Sequence, residues 1–272
     1  MDADLTVVVV ADDEALRRRS MDAIVAQSDP PRFVVETSWP TLHGSMAALS
    51  STWVAILPDG AEPSPDWISL LDAHLSDPGV GCVGGRVLEL DGAATAAGWF
   101  RGEPRVAWLD WLGRIHSRCG DIPDVRQVRS TEFLRLEGAA VPARDVSPSI
   151  LAGFERWSHF EMAACFRARR LGRAVVFDSS LVVCRSSAGG GQLPSPDDLD
   201  AWEAYGLGEI EVLRLDPRLP RAVWLVLRSL LLGSRVSPGL LLWPLYVTVP
   251  ARRSRWHAVV RGKVRGLVGA RP

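Results

Sequence analysis

Catalytic chemistry in this sequence has to rest on single residues, because its reactive side chains do not cluster. Asp59 stands between Pro58 and Gly60 after the apolar run Trp53 to Leu57, with Glu62 three residues on. Glu36 ends the run Phe33 to Val35, Glu161 follows Phe160 in a stretch of helical spacing, and Arg185 follows Cys184. A carboxylate can take a proton from an attacking hydroxyl or join others around a hard cation, whereas a guanidinium pairs with a phosphate through two parallel hydrogen bonds. Glu161 also has a plainer reading, as an acidic residue near a helix start that favours the helix dipole. His159 beside it reads first as a capping or packing residue, and His43 before Gly44-Ser45 is isolated. No P-loop, HExxH, GxSxG or zinc spacing occurs, which removes the commonest hydrolase and nucleotidase classes. Gly79-Val80-Gly81-Cys82-Val83-Gly84 satisfies GxGxxG, but that fingerprint needs a strand before it and a helix after it. Here a helix precedes and Val83 to Leu88 reads as a strand, so the match is one of chance.

The elements that position these residues alternate. With 272 residues, 47% of them apolar and 23% charged, the chain can bury a real core and is neither disordered nor fibrous. Leu5 to Val10 is a continuous β-branched run, the pattern of a strand buried on both faces. Asp12 and Asp13 precede a helix over Glu14 to Gln27. A strand from Phe33, a strand over Trp53 to Leu57, a helix over Trp67 to Leu75 and a strand over Cys82 to Leu88 come next, which makes a parallel α/β sheet. Asp66 is expected to cap the helix that begins at Trp67, with Trp67 in the core. Residues 91 to 129 form an irregular excursion holding Trp108 and Trp111, the two tryptophans with a claim to be acceptor platforms, against the plainer reading that they pack in the core. A segment over Phe133 to Val141, a helix over His159 to Leu171 closed by Gly172, and a strand over Ala174 to Phe177 complete the pattern.

Three stretches, in this order, resemble family 2 glycosyltransferases. Leu5 to Gln27 with Phe33-Val34-Val35-Glu36-Thr37-Ser38 looks like that family's opening strand, helix and second strand. Trp53 to Pro63, Pro65-Asp66-Trp67 and Asp77 to Val87 resemble the strand that ends in an acidic metal motif and the segment after it. Leu136 to Ala140, Arg144-Asp145-Val146, Gly153-Phe154-Glu155 and Glu161 to Gly172 resemble the acceptor half, ending at Asp178 to Arg185. The resemblance covers roughly residues 5 to 187 and is poor between 91 and 129. It implies a GT-A-like α/β fold: a single nucleotide-sugar-binding domain with a mostly parallel central sheet flanked by helices, spanning 1–190. Beyond it the sequence adds a linker over 191–220 and a helical amphipathic tail over 221–272.

The resemblance also implies a reaction, inverting transfer of a sugar from a nucleotide-diphospho-sugar to an acceptor hydroxyl, and roles for single residues. Glu36 would hold the nucleoside, Asp59 would face the donor diphosphate directly or through a cation, and Glu161 would act as general base. The metal motif departs from the family, since Pro58 and Gly60 replace its outer carboxylates and only Asp59 is left as a ligand, with Glu62 as a helper. The position where the family often has a metal-binding His is Arg185, which would neutralise the leaving diphosphate. Any Mg2+ or Mn2+ would be bound weakly or not at all. Ala163 replaces a further acidic residue of the catalytic motif. The alternative is a catalytically inactive binding or scaffold protein that keeps the fold.

Charge is unevenly spread. Residues 221 to 272 hold nine Arg and Lys263 with no acid, a net of +10 against −11 in the rest. A Leu- and Trp-rich segment of that charge suits an anionic phospholipid surface better than nucleic acid, whose partners present denser and wetter basic faces. Val236 to Ala251 is only 16 residues long and contains Pro238 and Pro244, too short and broken to span a bilayer, so interfacial helices are expected. The alternative is that Leu230 to Leu232 and Leu240 to Leu242 pack on the domain. The four cysteines lack paired spacing and no basic, apolar leader precedes Leu5, which reads as a reduced, cytoplasmic protein on the inner face of the membrane. Arginine supplies all but one of the 31 basic residues, a coding bias that points to a bacterial source. A glycan or lipid-linked acceptor in the cell envelope is the partner these readings imply.

Overall fold

The computed structural model describes residues 4–38, 41–58, 60–89, 94–97, 108–109, 115–116, 128–134, 137–145, 157–185, 195, 197–234 and 236–269. In chain order its elements are β1 (Leu5–Val10), α1 (Glu14–Val25), β2 (Phe33–Thr37), α2 (Leu42–Ala47), β3 (Trp53–Pro58), β4 (Glu62–Pro63), α3 (Trp67–Leu75), β5 (Val80–Glu89), β6 (Ala94–Ala97), β7 (Trp108–Leu109), β8 (Ile115–His116), β9 (Val128–Ser130), β10 (Ala140–Pro142), α4 (Trp157–Arg170), β11 (Ala174–Arg185), α5 (Leu199–Arg214), α6 (Leu219–Leu231), α7 (Trp243–Tyr246) and α8 (Pro250–Val268).

The main sheet runs β2-β1-β3-β10-β5-β11-β4, with β6 on β5 and β9 on β11. β1 pairs in parallel with β2 and β3, and β5 with β11. Antiparallel β10 lies between the two groups, so β3 and β5 point the same way and all the long strands end on one rim. β1 shows why the run from Leu5 is apolar without a break. Val8 and Val10 face a core shared with α4, α5 and α6, while Leu5, Val7 and Val9 face a second core with Trp67, Ile68 and Leu71 of α3.

Local chemistry sets several boundaries. Asp13 caps α1 by accepting from the amides of Ala15 and Leu16. Asp66 does not cap α3; its carboxylate accepts from Ser28 Oγ instead, while fully buried Trp67 donates its indole N–H to Gly138 O at 3.0 Å. Gly172, at φ 76°, ends α4 in the left-handed conformation. The GxGxxG match lies largely inside β5, where its glycines serve packing: a Cβ on Gly81 would meet Ala168 Cβ of α4 at 2.6 Å.

The C-terminal region differs most from the sequence reading. The stretch 191–220, read as a linker, contains the 16-residue helix α5, whose Ile210, Val212 and Leu213 belong to the core on the sheet. α6 adds Leu225, Val226 and Leu230 to the same core, so part of the expected tail is built into the domain. α8 packs backbone to backbone on α5: a Cβ on Gly206 would meet Val259 O at 2.2 Å and one on Gly262 would meet Glu203 O at 1.9 Å. Lys263, expected among the charges facing a surface, is buried; its Nζ donates to Ser229 O and Ser237 O, both at 2.9 Å, and pairs with Glu209 at 3.4 Å. Of the leucines in question, Leu230 is buried, whereas Leu231, Leu232, Leu240 and Leu241 are exposed.

Candidate active site

The chain leaves β1 for β2 on one side and returns to β3 on the other, which opens a crevice beyond the carboxyl ends of β1 and β3. In open α/β sheets this is where ligands bind. The rim is formed by the ends of β2 at Thr37, β1 at Val10, β3 at Pro58, β5 at Glu89 and β11 at Arg185.

Glu36 is exposed on the rim and in register with Val9 of β1. Next to it the structure gathers hydroxyls: Thr37 Oγ1 lies 2.9 Å from Thr41 Oγ1 and 2.8 Å from Ser45 Oγ, and Ser38 Oγ lies 2.7 Å from Thr41 Oγ1. The sequence reading passed over this cluster, although the short hydroxyl side chains following Glu36 were its signal. It supplies donors and acceptors of the kind a ribose or base needs.

Asp59 lies outside the described residues, but its flanks define the turn. Pro58 ends β3, and Gly60 takes φ 76° with its Cα close enough to α1 that a Cβ would meet Leu16 Cδ2 at 2.9 Å. Three residues after Asp59 the chain enters β4, which pairs with β11 so that Glu62 faces Cys184 and Pro63 faces Val183. This antiparallel register sets position 185 opposite position 61. The rim is thereby closed on itself: the end of β11 lies beside the turn that follows β3, though β3 and β11 are separated by β10 and β5 within the sheet. The Arg185 side chain lies outside the described residues, as do those of His43 and Trp108 and the whole of Trp111.

Glu62, the expected helper, is paired with Arg19 of α1, and Asp59 is flanked by Pro58 and Gly60, which offer no side-chain oxygen. Among the described residues no group of three His, Cys, Asp or Glu side chains could hold a metal ion.

Glu161 sits on α4, one turn before Cys165. Cys165 Sγ lies 3.4 Å from the Leu134 amide and hydrogen-bonds Cys82 of β5, whose thiol it helps push up along with burial. Ala140 pairs with both Ala55 and Val83, which makes Pro58 level with Arg86. One helical turn from Cys82 therefore leaves Glu161 roughly 8 Å short of the end of β3. Its residue exposure is 4%. His159 is also buried, its ring 4.7 Å from that of Tyr205, and it packs α4 on α5 as the plainer reading expected. Glu137 is a second buried carboxylate near the rim, bridged to Ile56 of β3; its place beside Gly138 in the chain was the only hint.

This architecture is shared with a solved glycosyltransferase. Staphylococcus aureus TarS 1–349, in complex with UDP-GlcNAc, superimposes with a TM-score of 0.56 at 11% identity over 97% of this chain and 81% of that one. The mannosyltransferase PcManGT of Pyrobaculum calidifontis, in complex with GDP-Man and Mn2+, gives 0.45 at 13% identity over 100% and 89%. No sequence profile of a known family matches the chain. No curated protein matches it. The fold is the GT-A-like α/β fold of nucleotide-sugar glycosyltransferases, a central curled sheet between layers of helices. At these identities the likeness establishes the fold alone.

Proposed function

We propose that the protein is a family 2-like inverting glycosyltransferase, peripheral on the cytoplasmic face of a membrane, that moves a sugar from a nucleotide-diphospho-sugar to a lipid-linked or cell-envelope acceptor. The observation that supports it best is the closure of the rim by β4, which brings the turn after β3 beside the end of β11. Glu36 and the Thr37, Ser38 and Thr41 hydroxyls hold the nucleoside, and Asp59 orients the donor. Arg185 supplies fixed positive charge to the departing diphosphate, the part a cation plays where a paired carboxylate motif exists. Glu161 takes the proton of the acceptor hydroxyl as that oxygen attacks the anomeric carbon from the face opposite the diphosphate, so the configuration inverts.

The membrane placement rests on the outward faces of the C-terminal helices. α6 buries Ala222, Leu225, Val226 and Leu230 but shows Val223, Trp224, Leu227 and Leu231 to solvent. Among the described residues no helix is long and apolar enough to cross a membrane, and an apolar face beside arginines suits an interfacial position.

Calorimetry with UDP, GDP and ADP, each with and without Mn2+, tests the enzyme reading. The expected result is binding of at least one diphosphate without metal, lost in Arg185→Ala; no binding of any nucleotide would remove it. A second reading, a binding or scaffold protein with the same fold, is favoured by one observation, the enclosure of Glu161. Nucleotide binding without transfer to any envelope acceptor is its signature.

A further inference from the structure

The C-terminal helices contain a cleft that plays no part in the site above. It measures about 510 Å³ and is lined by Leu242, Leu245, Tyr246, Arg252 and Arg255. That volume lies within the range of small-ligand sites. Its lining divides by chemistry: three apolar or aromatic residues come from α7 and the turn before it, and two guanidiniums come from the first turns of α8.

Arg252 and Arg255 are three residues apart on α8 and so share a face. Arg255 is held in place, its guanidinium carbon 4.5 Å from the centroid of the Trp202 ring. Further along α8, Glu203 of α5 pairs with Arg261 and Arg265, and Glu209 with Lys263. No acidic residue occurs in the sequence after Asp216. The walls are fixed as well: Trp256 donates to Gly239 O at 3.0 Å and packs on Trp243 at 4.7 Å, which pins the turn that carries Leu242. Leu245 of the lining is 67% exposed, and Leu240, Leu241 and Val249, its near neighbours in the chain, are exposed as well, Leu241 at 62%. Several exposed apolar side chains close to two cations mark an interaction site more than a solvated face.

We infer that this cleft binds the headgroup phosphate of an anionic membrane lipid, with Arg252 and Arg255 on the phosphate and Leu241 and Leu245 among the first acyl carbons. The inference deepens the membrane part of the reading above and rests on it. A guanidinium pair recognises the phosphate, and the apolar lining selects an amphiphile over a free anion. The bilayer is the partner that presents both chemistries in one plane at one depth.

The test uses the full-length chain and three soluble probes: dihexanoyl-phosphatidylglycerol below its micellar concentration, the phosphatidylcholine analogue, and inorganic phosphate. Binding is read by tryptophan fluorescence and calorimetry. The expected order is phosphatidylglycerol first, with phosphatidylcholine and phosphate each weaker by roughly tenfold or more, and a loss of roughly tenfold in Arg252→Gln. Arg252 is exposed, so that variant keeps the fold, and Leu245→Ser gives an independent loss for the lipid but none for phosphate. Equal affinity for phosphate and lipid, equal affinity for both lipids, or an unchanged Arg252→Gln would overturn the assignment. Vesicle flotation separates the two claims. Wild type and Arg252→Gln floating alike with phosphatidylglycerol vesicles leaves the membrane reading standing and sinks the cleft; monomeric lipid binding without flotation does the reverse.

Discussion

Lys263 has no exposed side-chain surface, yet it is held by two backbone carbonyls and Glu209, which in turn accepts from Ser229 and Ser237. Burial lowers its pKa from 10.5, with Glu209 opposing the shift. The unfolded chain then binds this proton more tightly than the folded one. Its contribution to stability therefore rises with pH from the lowered folded value up to 10.5 and is lost as pH falls back through that window. Urea midpoints measured across alkaline pH should show this slope in wild type and lose it in Lys263→Met. At pH 7 the same variant leaves Glu209 and two carbonyls without their cation, and we expect it to be less stable by about 3 kcal/mol. Glu161→Gln tests a buried carboxyl group. If Glu161 is the base, kcat falls by roughly 10² to 10⁴ with nucleotide affinity unchanged. If it only supports α4, the thermal midpoint moves and kcat does not.

At the scale of elements, α5 and α8 meet through glycine. Gly262→Leu forces a side chain into Glu203 O, and we expect a loss of about 3 kcal/mol or more, with proteolysis of α8 in the folded protein. Gly172→Ala is the contrasting case. Nothing lies within 4 Å of its Cβ, so only the left-handed backbone is strained, at about 1 kcal/mol. Differential scanning calorimetry distinguishes the two. The contrast also explains what the sequence could show. β1, α1 and the Gly172 stop were readable because their signals are local: an apolar run, a capping Asp, a glycine after the last helical turn. The α5–α8 contact was not, because Gly206 and Gly262 are far apart in the chain and their common face exists only after folding. Gly262 and Gly266, spaced by four on a basic helix, were the visible trace. The rim itself was legible as an order of strands, but the closure through β4 depends on a pairing of two residues too short to carry a pattern.

At the scale of the whole molecule, acid and base are segregated, −11 before residue 221 and +10 from it onward. Folding does not erase the separation, since α5 sets two carboxylates, Glu203 and Glu209, against three cations, Arg261, Arg265 and Lys263, and Arg252 and Arg253 stay exposed. Attraction to an anionic surface adds about 1 kcal/mol per arginine near it and fades over a Debye length of roughly 10 Å at 0.1 M salt. Apolar insertion is not screened. Flotation with vesicles containing phosphatidylglycerol should therefore weaken with added salt to a plateau rather than to zero. The plateau should depend on α6, where Trp224 and Leu227 are each about half exposed. Burying their free surface contributes about 1 kcal/mol apiece, so Trp224→Ser with Leu227→Ser should cost roughly thirtyfold in vesicle affinity at high salt. Trp224, read through quenching by brominated acyl chains, reports depth directly; efficient quenching places α6 within the acyl boundary, and its absence would leave the protein held by charge alone.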